Sequence, residues 1–122
     1  MSDKIQVELI DAPIAASKKE VSVTDALGRV LVIRKPKPLA NLDFKRALGP
    51  NHTNTLYLVE VSHLPYVASI DGVPVAVPTS DGELRALYAR LGDEGNETAQ
   101  KAVIETFYST QAEGGESELK NS

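Results

Sequence analysis

The stretch Ser80–Gly92, SDGELRALYARLG, with its continuation Asp93–Ser109, DEGNETAQKAVIETFYS, decides how this chain can fold. Ser80 is a good N-cap, and Glu83 three residues on completes a capping box, so a helix begins here. Leu84, Leu87, Tyr88 and Leu91 then recur at three- and four-residue spacings and form one apolar stripe. Gly92 can take the left-handed conformation that ends a helix at little cost. A second helix follows, with Ala99, Ala102, Val103, Phe107 and Tyr108 on its inner face. Neither helix can hide its stripe alone, so the preceding chain must supply a surface.

Working back from Ser80, Val75, Val77 and Pro78 read as extended chain. Asp71-Gly72 is a strong turn signal, and Pro74 rules out a regular central strand there. Residues 55–64 admit two readings. Alternation places Tyr57, Val59 and Val61 on one strand face, whereas helical spacing groups Leu56, Val59 and His63 with Leu64, or Tyr57, Val61 and Leu64. The polar run His52–Thr55 offers caps and Pro65 a stop, so the helix is preferred. Asn41 reads as the cap of an earlier helix, LDFKRAL, with Leu42, Phe44, Ala47 and Leu48 as its apolar side and Gly49-Pro50 as its end. Nearer the N-terminus, Ile5, Val7 and Leu9 alternate with Gln6, Glu8 and Ile10, which suggests a half-buried strand, and Val21 and Val23 resume the alternation. Asp25-Ala26-Leu27-Gly28 makes a turn into the β-branched run Arg29–Arg34, which Pro36 and Pro38 stop. The expected class is α+β: a small N-terminal antiparallel β unit over 1–38, then a mainly helical part of about four helices over 39–110. Together these make a single compact domain over 1–110. Residues 111–122 are polar and rich in Gly and Glu, and are expected to form a flexible acidic tail.

At 122 residues the chain is long enough for one modest core. Without Trp, and with two Phe, that core must be made of Leu, Val, Ile and Ala. No Cys is present, which excludes disulfides and thiol chemistry. No apolar run approaches the ~20 residues that span a bilayer, and the start MSDKIQVELID lacks the apolar core of a signal peptide. The expected location is therefore the cytoplasm, with no membrane partner. The net charge of −4 is unevenly spread: residues 1–38 are net basic and residues 81–122 strongly acidic. An acidic half repels a phosphate backbone, and Arg34, Lys35 and Lys37 make a short basic cluster, so nucleic acid is disfavoured as a partner.

Chemistry-bearing patterns are sparse. His52 and His63 stand eleven residues apart, a spacing of no short zinc motif, and both are expected at the surface or in caps. Ser62, His63 and Asp71 make a triad on paper only, since no nucleophile elbow supports it. Gly92 and Gly95 punctuate helices rather than cradle phosphate, and DEGNE lacks the spacing of a calcium loop. No catalytic residue, cofactor or metal is expected. What is left is apolar surface: Leu84, Leu87 and Leu91 as core, or together with Tyr57, Tyr66, Tyr88, Phe107 and Tyr108 as candidate partner contacts that anchor a helix in a groove.

The order of elements carries a resemblance. An N-terminal β unit ending in VLVIRKPKP is followed by LDFKRALG, by SIDGVPVAVPTS and by ELRALYARLGDEGNETAQKAV. This layout over residues 5–108, with Ile33-Arg34-Lys35-Pro36, Ile70-Asp71-Gly72-Val73-Pro74 and Leu91-Gly92 with Gly95, resembles the tail assembly chaperones of long-tailed, siphovirus-like bacteriophages. The resemblance implies a non-enzymatic protein of the bacterial host cytoplasm that binds and solubilises the tape measure protein before the tail tube forms. It further implies a frameshift-extended form that recruits the tail tube protein, with the extension departing from residues 111–122. Leu84, Leu87, Tyr88 and Leu91 would build the helical body. Two other functions fit the same residues: a small regulatory or adaptor domain that can form a homo-oligomer, and a weak nucleic-acid binder using Arg29, Arg34, Lys35 and Lys37.

Overall fold

A computed structural model describes residues 19–108. The Ile5–Leu9 alternation and the 111–122 tail lie outside that range. Strands β1 (Glu20–Thr24) and β2 (Val30–Arg34) form the expected hairpin, pairing antiparallel with Val21 opposite Ile33 and Val23 opposite Leu31. The Asp25–Gly28 turn is held by its own first residue. The Asp25 carboxylate accepts from the backbone N–H of Leu27 and Arg29 at 3.0 and 2.9 Å, and Gly28 takes φ 86°. Only glycine adopts that angle without a steric penalty.

The sheet does not stop at residue 38. Two further strands, β3 (Val67–Ile70) and β4 (Val73–Pro74), complete an antiparallel sheet of order β1-β2-β3-β4, so the segment expected to be mainly helical also contributes strands. β3 escapes a periodicity reading because its register against β2 shifts between Val32 and Ile33. That irregularity puts both Val67 and Ile70 into the core, three residues apart, where strict alternation would send one outward. The Asp71-Gly72 turn that joins β3 to β4 has φ 50° and 81°, and Pro74 sits on the short edge strand where its missing N–H is tolerated.

Among the described residues three α-helices accompany the sheet, rather than about four. Helix α1 (Pro38–Leu48) begins with Pro38 at its first turn, not at Asn41, which lies inside it. Its buried residues are Phe44, Ala47 and Leu48, while Leu42, assigned by spacing to the apolar side, is 59 % exposed. A 3₁₀ turn, Gly49–Thr53, leads into α2 (Thr55–Val61), so residues 55–64 are helical at their start. The Asn54 side chain caps α2 by accepting from the Tyr57 N–H at 3.2 Å. A second 3₁₀ turn, Leu64–Tyr66, then feeds β3.

Helix α3 (Asp81–Val103) runs through what the sequence separates into two helices. The break at Gly92 is nonetheless real, with φ 66° and ψ −173°. Ser80 accepts from the Glu83 N–H at 3.2 Å, and Glu83 reaches back to the Thr79 N–H at 2.9 Å, one residue earlier than in the standard box. A π turn, Ile104–Tyr108, ends the described chain. The core lies between sheet and helices: Leu31 and Ile33 from β2, Val67 and Ile70 from β3, Phe44 and Ala47 from α1, and Leu84, Leu87, Leu91 and Ala99 from α3 are all buried. Among the described residues, no helix is long and apolar enough to cross a membrane.

Candidate functional site

A break in a helix strands backbone carbonyls, and burial makes each one costly to leave unpaired. At Gly92 the fold supplies two side chains in their place. Asn96 is buried and donates through Nδ2 to the carbonyls of Tyr88 and Gly92 at 2.9 and 2.8 Å. Arg29, immediately before β2, donates to the carbonyls of Arg90 and Leu91 at 2.9 and 2.7 Å, while its Nε donates to Asp25 at 2.7 Å. Gly95 makes room for this approach. A Cβ there would lie 2.9 Å from the Leu91 Cβ and 3.0 Å from Arg29 Nη2. Burial raises the Asp25 pKa, but the hydrogen bonds and charge of Arg29 outweigh it and the net shift is downward.

His63 belongs to the same joint, and here the sequence expectation is corrected: the ring is not on the surface but only 3 % exposed. Because Asn96 spends both amide protons on carbonyls, its Oδ1 is an acceptor, and the 2.6 Å contact to His63 Nε2 places the imidazole proton on that nitrogen. Nδ1 is then left buried without a partner. Desolvation lowers the His63 pKa, against the opposing pull of the Asn96 bond and the Glu60 charge. His52 stays exposed, with Nδ1 at 2.9 Å from the Gly49 carbonyl, in the capping role expected of it.

Ser62, His63 and Asp71 do not come together as a triad. Ser62 Oγ donates to the Leu58 carbonyl, Asp71 Oδ1 accepts from the Val30 N–H at 2.8 Å, and His63 faces Asn96, so the three residues of the paper triad have separate occupations. Among the described residues, no cluster of three or more His, Asp or Glu is placed to hold a metal ion.

What the fold leaves open is a pair of adjoining clefts. The larger, about 690 Å³, lies between Phe44, Lys45 and Leu48 of α1, Leu58 of α2, and Pro65, Tyr66 and Tyr108. The smaller, about 300 Å³, is bounded by Val59, His63, Gln100, Val103 and Ile104. Ser62 and Tyr108 line both. Beside them α2 shows an apolar face to solvent, with Leu56 81 % and Val59 65 % exposed, and the π turn adds Ile104 and Tyr108.

The candidate contacts divide sharply. Leu84, Leu87 and Leu91 are buried in the core and offer a partner no surface. Tyr66, Phe107 and Tyr108 meet in one aromatic cluster, with the Tyr66 and Phe107 ring centres 5.3 Å apart and the Tyr66 and Tyr108 hydroxyls at 2.6 Å. Burial, then the Tyr108 hydroxyl, pushes the Tyr66 pKa upward. Tyr88 is half-buried and donates to Glu60 Oε1 at 2.7 Å, which raises its pKa, and Gln100 donates to the Glu60 carbonyl, tying α3 to α2. Tyr57 is half-buried against the core and lines neither cleft. The sequence reading passed over Leu56, Val59 and Ile104. The signal for the first two was the doubled apolar spacing of residues 55–64, which is what a short helix with two apolar faces looks like.

Comparison with known families, with curated proteins and with solved structures found no match to this chain.

Proposed function

We propose that this protein is a non-catalytic binding module that takes an apolar helix of another protein into the paired clefts, in the manner of a phage tail assembly chaperone receiving the tape measure protein. The observation that carries the reading is the set of exposed apolar residues Val59, Ile104 and Tyr108 on the smaller cleft, with exposed Leu56 on the same short helix and Phe44, Leu48 and Leu58 lining the larger cleft. A helix-in-groove contact needs such a floor with apolar anchors at its rim. Burying a large apolar side chain contributes about 1.5–3 kcal/mol, so four such residues leave a modest net affinity once the costs of association are subtracted. Modest affinity suits a chaperone that must release its client to incoming tube subunits. Repeated sites along a long client would restore occupancy through avidity. The identity of the client rests on the resemblance in layout described above.

The nucleic-acid alternative loses support from the uses found for its basic residues. Arg29 is committed to the carbonyls of α3, and Arg34 pairs with Glu20 at 3.2 Å. An adaptor with a different helical client uses the same surface, and one experiment separates the two. Co-expression with a tape measure protein should raise its soluble yield and co-purify it, and Leu56→Asp with Val59→Asp should abolish both effects. Unchanged yield without co-purification rejects the tape measure client. Capture that survives the double substitution rejects the clefts as the site.

A further inference from the structure

The two clefts differ in charge, although they share Ser62 and Tyr108. Besides apolar Phe44 and Leu48, the larger one is lined by Lys45, in the last turn of α1, and by His52 of the following 3₁₀ turn, both exposed. His52 Nδ1 lies 2.9 Å from the Gly49 carbonyl, so that nitrogen carries a proton and Nε2 is the one left for a partner. The smaller cleft has no such cation. Val59, Val103 and Ile104 give it an apolar lining, and its His63 is buried against Asn96. Among the described residues neither cleft is lined by Asp or Glu, although the chain carries 17 of them against 13 Lys and Arg. An acidic protein that keeps its carboxylates off one apolar surface and places an ammonium and an imidazole there is the electrostatic complement of an acidic partner.

From this asymmetry we infer that the client is an acidic amphipathic helix: its apolar stripe lies along both clefts, and Glu or Asp side chains flank the stripe at the end seated over the larger cleft, against Lys45 and His52. The inference rests on the helix-binding reading of the clefts and adds which helix they take and which way round. A client with Lys or Arg at that end would meet like charge, so the same two residues reject basic helices as well as favour acidic ones. Exposed ion pairs contribute little each, and salt screens them. Affinity therefore comes mainly from the apolar stripe, and the charges set orientation and choice of partner.

Three synthetic amphipathic helices test this against the full-length protein by fluorescence anisotropy. They share one apolar stripe, are matched in helicity, and carry two Glu, two Gln or two Lys beside one end of it. At low ionic strength the Glu helix should bind about fivefold more tightly than the Gln helix, and the Lys helix about as much more weakly, with the differences shrinking as salt is added. Full-length Lys45→Glu with His52→Glu should invert that order. Lys45→Glu alone, at an exposed position, should at least flatten it, which keeps the test open if the double variant fails to fold. Equal binding of the three helices overturns the inference while leaving the clefts as a helix site, and so does an order that survives the substitutions. Absence of binding by all three overturns the helix reading of the clefts and this inference with it. A preference that emerges only once Glu113→Gln, Glu116→Gln and Glu118→Gln are introduced also overturns it, by assigning the larger cleft to this protein's own acidic segment.

Discussion

Two regions of the molecule treat exposed groups in opposite ways. At Gly92 a helix breaks inside the fold, and Arg29, Asn96 and His63 are drawn inward to meet the carbonyls or one another. Along α2, seven residues long, the helix is regular but shows apolar side chains on both faces, and nothing within the described chain covers the outer one. The first region uses polar groups to fix a shape. The second leaves apolar groups unspent, which is what a surface awaiting a partner requires. Changes at the joint should therefore register in stability, and changes on the outer face of α2 in binding.

The largest effect is expected at Leu91, fully buried beside the break. Leu91→Ala should cost about 4 kcal/mol of unfolding free energy, read by chemical denaturation, through lost burial and the cavity left behind. Asn96→Ala should follow at about 3 kcal/mol, since two part-buried carbonyls and the buried His63 N–H lose partners worth about 1–3 kcal/mol each when left unsatisfied. A loss below about 1 kcal/mol would mean that water replaces the amide, and the joint would be looser than described. Gly92→Ala should cost about 1–3 kcal/mol, because φ 66° with ψ −173° is open to glycine almost alone.

Acid should find the same region through His63. Its folded pKa lies below the ordinary 6.5, so the unfolded chain binds the proton first as pH falls. The contribution is fully present above about pH 6.5 and declines as pH drops from there toward the depressed folded value. His63→Gln should remove that slope from denaturation midpoints measured across the window, whatever it does to stability at neutral pH. The smallest stability effect belongs to the outer face of α2. Leu56→Asp with Val59→Asp should change unfolding free energy by no more than about 0.5 kcal/mol while abolishing client capture. A large loss of stability would show that these side chains already have a partner within the chain, and the contrast between the two regions would fall.

Much of this was legible before any coordinates. The Asp25–Gly28 hairpin, the Ser80 cap, the Asp71-Gly72 turn and the discontinuity at Gly92 each depend on a residue whose short-range chemistry acts on its own neighbours. β3 was hidden by its shift in register, the start of α1 by a proline that starts a helix as readily as it ends a strand, and the burial of His63 by a partner thirty-three residues away. Of the candidate contacts, the aromatic cluster of Tyr66, Phe107 and Tyr108 was named by type, but Leu56, Val59 and Ile104 were not. An apolar residue on a helix carries no mark that tells an inward face from an outward one.

The amino-acid order by itself determined where the chain turns, where α2 and α3 begin, and that an α+β core of aliphatic residues would form. These are local matters, settled by dihedral preference, capping and spacing within a few residues. Only the tertiary structure decided which of two apolar stripes on α2 is buried, that Arg29 reaches across to the broken helix, and that Asn96 sets the proton on His63. Those outcomes depend on which distant surfaces meet, because burial and hydrogen-bond satisfaction are properties of contacts that no short segment contains.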